Sequence, residues 1–209
     1  MKNIIEDLNW RYATKIFDPK KKVSQADMNE LLEALRLSAS SFGIQPWKFV
    51  VVTDKKLRED LRKNAWDQPQ ITDASHLIVL CARTNVDENY VKKYAEDIAQ
   101  TRKVPIESIR GYADMMIGSI KRKDKEEILE WSMRQVYITL GTLLTACAVK
   151  RIDACPMEGF DNAAYNRILK LDEEGVSSVV LCPVGYRGDD KYASAKKVRF
   201  PLDELIIRR

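Results

Sequence analysis

Apolar residues return along this chain at two spacings. Met28, Leu31, Leu32 and Leu35 fall at i, i+3, i+4 and i+7, one face of a helix. Ser24 stands at its N-cap, Val23 and Met28 at staple positions, and Asp27 where a capping box places its acid. Ile4, Ile5, Leu8 and Tyr12 mark an earlier helix, and Leu57, Leu61 and Ala65 a later one. Four short runs, 48–52, 76–82, 152–156 and 176–184, are dense in β-branched and other apolar residues and predict strands. Helices are predicted at 87–102 and 106–121, with Pro105 at the N1 position of the second. The stretch 126–149 is amphipathic at first and apolar all round later, the signature of a central helix. Gly141, Thr142 and Ala146 on it would let another element approach closely. Asp161 caps a helix running through Leu171. The tail from 186 is polar and then apolar again at 202–207, a patch expected to dock on something.

This order has long all-helical insertions and lacks the regular strand–helix–strand rhythm of a dinucleotide fold. No GxGxxG and no GxxxxGK[ST] occurs, and "GYRGDD" at Gly185 is too loose for a phosphate loop. No repeat or linker divides the 209 residues, which read as a single domain, 1–209. Such a chain buries roughly 70% of its unfolded surface. With 45% apolar and 32% charged residues it has the balance of a soluble globular protein. The net charge of +4 does not predict nucleic acid, because basic residues are interleaved with acids, as in "KRKDKEE" from Lys121. No signal peptide is evident, and the most apolar run, 136–149, is shorter than the about 20 residues that cross a bilayer. Cys81, Cys147, Cys155 and Cys182 lie in apolar runs without a CxxC pair, as expected of reduced thiols in the cytoplasm. With His76 as the only histidine, a zinc site is not expected.

Four polar islands stand out against this background. "RYATK" (Arg11 to Lys15) carries two cations at the end of the first helix, where both could face one ligand. "SSFGIQPW" (Ser40 to Trp47) sets hydroxyls and an amide between two core elements. "CPMEGFD" (Cys155 to Asp161) puts a Glu and a Gly between a strand and a capped helix. "KKVRFP" (Lys196 to Pro201) alternates Lys197 and Arg199, which point the same way in an extended chain. Each alone has an ordinary explanation. The cations complement a helix C-terminus, Gly43 makes a left-handed turn with Trp47 in the core, Phe160 packs beneath a loop, and the basic run is solvated.

Taken in order, with "DASH" at 73–76 and "EWSMRQVYITLG" at 130–141, these islands closely resemble the nitroreductase family of FMN-dependent NAD(P)H oxidoreductases. The likeness is strongest to the bacterial oxygen-insensitive group and covers essentially the whole chain. The resemblance implies an α+β fold: a mixed, mainly antiparallel sheet sandwiched by helices, with a long central helix. It implies a homodimer whose C-terminal segment is exchanged with the partner subunit and whose interface binds two FMN molecules. By match to the family motif, Arg11, Lys197 and Arg199 would hold the phosphate with Ala13 near it, and Tyr12 and Pro156 would also belong to the cofactor site. Lys15 would lie at the N1/C2 edge of the flavin, and Glu158 and Gly159 would approach N5. Ser40, Ser41 and Gln45 would complete the pocket of the neighbouring subunit. Lys15 and Glu158 would be the residues closest to the chemistry. NAD(P)H would reduce the flavin and leave, and a nitroaromatic or quinone would take its place, giving ping-pong kinetics. No general acid is evident. A flavin or dihydropteridine reductase on the same scaffold, or a flavin-binding protein without turnover, stays open as an alternative.

Two departures bear on the cofactor. Asp67 stands where relatives commonly place an Asn, and Gln70 where a Lys is common. Both lower the positive potential near the ring, which predicts a lower reduction potential. The region 112–117 is expected to contribute to the substrate channel.

Overall fold

The structure is a computed structural model that describes residues 3–209. α1 (Ile4–Trp10) and α2 (Gln25–Arg36) precede β1 (Trp47–Val52), α3 (Lys55–Lys63), the short α4 (Gln70–Asp73) and β2 (His76–Arg83). α5 (Glu88–Arg102), α6 (Glu107–Lys121) and α7 (Lys125–Lys150) follow with no strand between them. β3 (Asp153–Ala154), α8 (Asn162–Ile168), β4 (Val176–Gly185) and α9 (Leu202–Leu205) complete the order.

The four strands form one sheet in the order β1-β2-β4-β3, each neighbouring pair antiparallel. Among the described residues, the parallel component of the expected mixed sheet is a single bridge between Ala13 and Ala154. β2 and β4 are central and buried on both faces, so their sequences are continuously apolar rather than alternating. Alternation still sorts their side chains. Ile78, Leu80 and Ala82 face a core shared with α2 and α7, while Leu77, Val79 and Cys81 face one shared with α3, α4 and α8. A third cluster, built by α5, α6 and the start of α7, closes over Ile44 and Trp131.

Several expectations about element ends hold. The Ser24 side chain accepts from the Asp27 N–H, and Val23 and Met28 are both buried beneath it. Asp161 caps α8 through the Ala164 N–H. α7 begins with a full capping box, Asp124 with Glu127. It ends in a left-handed Arg151, whose guanidinium lies 2.7 Å from the buried Asp7 carboxylate of α1.

Other ends differ. Pro105 lies two residues before α6, whose N-cap is Ile106. α8 stops at Ile168, and a separate 3-10 turn, Leu171–Glu174, follows. The run 152–156 was expected to be a strand throughout, but only Asp153–Ala154 is regular. The pairing with β4 continues to a bridge between Met157 and Leu181, and Pro183 is the reason it is broken. Its carbonyl accepts from the Cys155 N–H at 3.1 Å, but it has no N–H to return. The chain at 11–15 is also extended rather than helical: α1 ends at Trp10, and Arg11 has φ −70° and ψ 143°. Arg11 and Lys15 therefore share a side through strand alternation, not through helical spacing.

Candidate functional site

The stretch after α1 and the C-terminal tail are joined by one carboxylate. Asp190 Oδ2 accepts from the Tyr12 hydroxyl at 2.9 Å, the Lys15 N–H at 2.7 Å and the Ile16 N–H at 3.2 Å, while Oδ1 accepts from the Tyr192 N–H at 3.0 Å. Burial alone would raise this carboxyl, but the hydrogen bonds led by the Lys15 N–H hold it below the usual carboxylate range. Burial, with the bond to Asp190, pushes the Tyr12 phenol up to about 12. Arg187 supports the same stretch from below. Its guanidinium stacks 4.3 Å from the Trp10 ring centroid and 4.7 Å from that of Tyr12, and it pairs with the buried Asp153.

With those anchors in place, the two basic islands converge. A cavity of about 440 Å³ is lined by Arg11, Tyr12, Ala13, Lys15, Pro156, Lys197 and Arg199. Lys197 donates through Nζ to the Arg11 carbonyl. Burial and the neighbouring Arg11 and Arg199 hold its amine below the ordinary lysine range. Among the described residues, none of Arg11, Lys15, Lys197 and Arg199 is paired with a carboxylate. Crowded cations with no acid in the cavity lining have the chemistry that suits an anion.

The loop beyond Pro156 borders a second group. The carbonyl of Gly159 accepts from Gln68 Nε2 at 3.0 Å, and the Asp161 N–H donates to the Asn64 carbonyl at 2.8 Å, so 64–68 is strapped to 158–161. Trp66 and Asp67 are left-handed, with φ of 51° and 53°, and the Trp66 ring lies over Gly159. The Asp67 carboxylate is 2.9 Å from Arg62 Nε. Gln70 is buried, and its Oε1 has no hydrogen-bond partner in the protein. Phe160 packs down edge-to-face on Tyr165, as expected. Glu158 is exposed and accepts from the Tyr137 hydroxyl of α7 at 2.5 Å. Burial first, and this bond second, push the Tyr137 phenol up to about 12.

The serine corner does not line the cationic cavity. Its polar groups hold the corner itself. Ser40 Oγ accepts from the Gln45 N–H at 3.0 Å, and Gln45 Nε2 donates to the Arg36 carbonyl at 2.8 Å. The Ser41 N–H donates to Gln135 Oε1 on α7 at 2.8 Å. Tyr94 and Tyr112, from α5 and α6, both donate to the Phe42 carbonyl. Phe42, Gly43 and Gln45 all have positive φ, so the left-handed turn expected at Gly43 is wider than one residue. Gln135 and Tyr137 are two residues apart, about 200° around the helix, so the corner and the Glu158 loop meet α7 on opposite sides.

Asp190, Arg187, Trp66 and Tyr137 had no place in the sequence-based reading. Their roles come from partners far along the chain, and only the Asp190 carboxylate in an otherwise loose "GYRGDD" offered a signal. A larger open depression, about 820 Å³, runs between α2 and α7. Its one cation, Lys150, already pairs with Asp27 and Glu30, so it lacks the chemistry of an anion site.

The sequence model of the nitroreductase family matches residues 8–186. A Staphylococcus haemolyticus protein assigned as an NAD(P)H nitroreductase is 36% identical over 211 aligned residues, 97% of this chain and 95% of its own. A Staphylococcus epidermidis structure assigned as an NAD(P)H:FMN oxidoreductase superposes with a TM-score of 0.88 at 20% identity, covering 100% of this chain and 97% of its own. An Exiguobacterium sibiricum structure, assigned as a nitroreductase in complex with FMN, superposes at 0.85 with 18% identity, covering 100% and 98%. The fold is that of these structures, and the chain belongs to the nitroreductase family.

Proposed function

We propose that the protein is an FMN-dependent NAD(P)H oxidoreductase that works as a homodimer. The observation that carries this reading is the convergence of Arg11, Lys15, Lys197 and Arg199 on one cavity with no carboxylate to balance them. A phosphate monoester is the group such a site fits. Arg11 and Arg199 offer planar forks to its oxygens and Lys197 a point charge. The unpartnered Oε1 of Gln70 is a further polar atom suited to a ligand donor.

Bound FMN would supply two-electron chemistry, accepting hydride from NAD(P)H and passing the electrons to an oxidised acceptor such as a nitroaromatic or a quinone. The residues of this chain bind and orient. Lys15 places positive charge where the reduced ring is anionic. Gly159, without a β-carbon, would allow the ring close approach to backbone once the exposed Trp66 ring that covers it moved aside. Tyr137 holds a proton on its hydroxyl beside the Glu158 carboxylate, the donor that the sequence alone did not reveal. Ser40, Ser41 and Gln45 contribute from the partner subunit. One site used in turn by donor and acceptor gives ping-pong kinetics.

Two surfaces support the dimer. Tyr137, Ile138 and Val149 of α7 are each at least 40% exposed, and the tail exposes Val198, Phe200, Leu202, Leu205 and Ile207. Apolar area of this extent marks an interface. A tail exchanged between subunits would cover it and bring the two half-sites together. The four cysteines are buried and unpaired, which suits the reducing cytoplasm. Among the described residues no helix is long and apolar enough to cross a membrane.

The test is the absorption spectrum of the purified protein, with the released cofactor identified, followed by anaerobic mixing with NADH and NADPH. Yellow protein that bleaches with either nucleotide and recovers with nitrofurazone or a quinone supports the reading. Colourless protein that fails to take up FMN refutes it, and yellow protein that never bleaches reduces it to a flavin binder.

A further inference from the structure

A second basic cavity, about 530 Å³, opens where β1 ends and β2 begins, and it shares no residue with the first. Lys22, Thr53, Lys55, Arg58, Ser75 and His76 line it, and no carboxylate of the described residues does. Arg58 is 4% exposed. It spends its guanidinium on the Ile71, Ser75 and Ala74 carbonyls, at 2.6, 3.1 and 2.7 Å. Its charge is therefore fixed behind the cavity, and among the described residues it is in no ion pair, although Asp73 acts on it at a distance.

The acids nearest in sequence are engaged elsewhere. Asp18 pairs with Lys21, Asp54 caps α3 through the Leu57 N–H, and Asp73 Oδ1 accepts from Thr72. Among the described residues neither Lys22 nor Lys55 is in an ion pair.

Ser75 sets the histidine. Its hydroxyl oxygen accepts from the Val23 N–H at 2.8 Å, and the hydroxyl lies 3.0 Å from His76 Nδ1. With the Ser75 proton donated to Nδ1, neutral His76 carries its own proton on Nε2, so it presents a donor. Every charged side chain in the lining is a cation, and neutral His76 adds a donor; the Asp73 carboxylate, outside the lining, acts on Arg58 from behind.

We propose that this cavity is a second anion site, built for a phosphate group held by Lys22, Lys55 and His76 in front of the fixed charge of Arg58. Free phosphate and a nucleotide phosphate monoester present the same chemistry to it. Lysine suits such a site as a mobile point charge, and a concave wall of one sign concentrates the counter-ion. The groups facing His76 are Arg58 from α3, Lys22 from the loop before α2, Lys55 at the start of α3 and the Ser75 hydroxyl. Burial and the charges of Arg58 and Lys22 hold the imidazole below its ordinary range, so a bound anion would bring it back up.

His76 is the only histidine, so its ring protons are a single resolved probe in NMR spectra of the full chain. Titrating inorganic phosphate at constant ionic strength should shift that resonance saturably and raise the His76 pKa. The exposed pair of substitutions Lys22→Gln and Lys55→Gln should weaken the response about tenfold or more. Adenosine monophosphate forms the second arm. Tighter saturation than with phosphate identifies a nucleotide ligand, and equal saturation identifies phosphate itself. A linear, unsaturating shift with both, or a saturable one that the double variant leaves intact, overturns the proposal. Neither result touches the flavin reading, because cofactor content is measured separately on the same samples.

Discussion

The Trp66 ring rests on the α-carbon of Gly159 so closely that a β-carbon at 159 would stand 2.3 Å from Cζ3 and 2.6 Å from Cε3. No real side chain tolerates that separation. The indole is 79% exposed and can swing away, so Gly159→Ala should cost little stability, below about 1 kcal/mol, yet displace the ring. Tryptophan fluorescence and FMN content of the variant check this. Unchanged emission would mean that the two residues are not in contact in solution.

Tyr137→Phe removes the proton beside Glu158 and almost nothing else, because the ring is half exposed on α7. Urea denaturation should be unchanged within about 0.5 kcal/mol. Acceptor reduction should slow, and the change should appear in its pH profile rather than in FMN affinity. A variant with wild-type rates at every pH would remove Tyr137 from the reaction.

The Tyr12 and Tyr137 phenols are both pushed up to about 12, against about 10 in an unfolded chain. Between those values the folded protein binds more protons than the unfolded one, so stability falls as pH rises. The loss begins above about pH 10, where the unfolded phenols ionise, and is complete towards about pH 12. Unfolding midpoints measured across that window should decline, and Tyr137→Phe should flatten the decline.

Arg58 is the buried charge whose loss the fold should feel most. Arg58→Met keeps much of the packing but leaves the Ile71, Ala74 and Ser75 carbonyls without their donor. About 3 kcal/mol of destabilisation is expected, since each orphaned group costs about 1–3 kcal/mol. A shift below 1 kcal/mol in a urea titration would show that water satisfies them.

The structure also refines the expectation for the flavin potential. Asp67 is paired with Arg62 at 2.9 Å and is largely solvated, so its charge is screened. Gln70 is buried, where a charge acts at greater strength. In spectroelectrochemical titration the double variant Asp67→Asn, Gln70→Lys should have a raised potential, with Gln70→Lys carrying most of the rise. Equal contributions from the two would contradict the pairing seen here.

Much of this molecule was legible before its structure. Ser24, Asp161 and the apolar periodicity of α2 and α7 are local signals, and local signals survive folding. The expected strand at 152–156 is cut short because apolar residues say nothing about donors, and Pro183 on the facing strand withholds one from Cys155 that the segment 152–156 alone does not reveal. The basic islands were recognised by their order along the chain, while the means of bringing them together was not. Asp190 and Arg187 act through residues more than 170 positions away and more than 30 away, respectively, and no spacing encodes such partners.

The opposed placement of Gln135 and Tyr137 has a mechanical consequence. One rigid rod of 26 residues, α7, is bonded on one flank to the Ser41 backbone and on the other to Glu158. Turning the rod to tighten one grip slackens the other. A disturbance at the buried Thr139, one turn beyond Gln135 on the same flank, would then be registered at Gln135 and at Tyr137 with opposite sense.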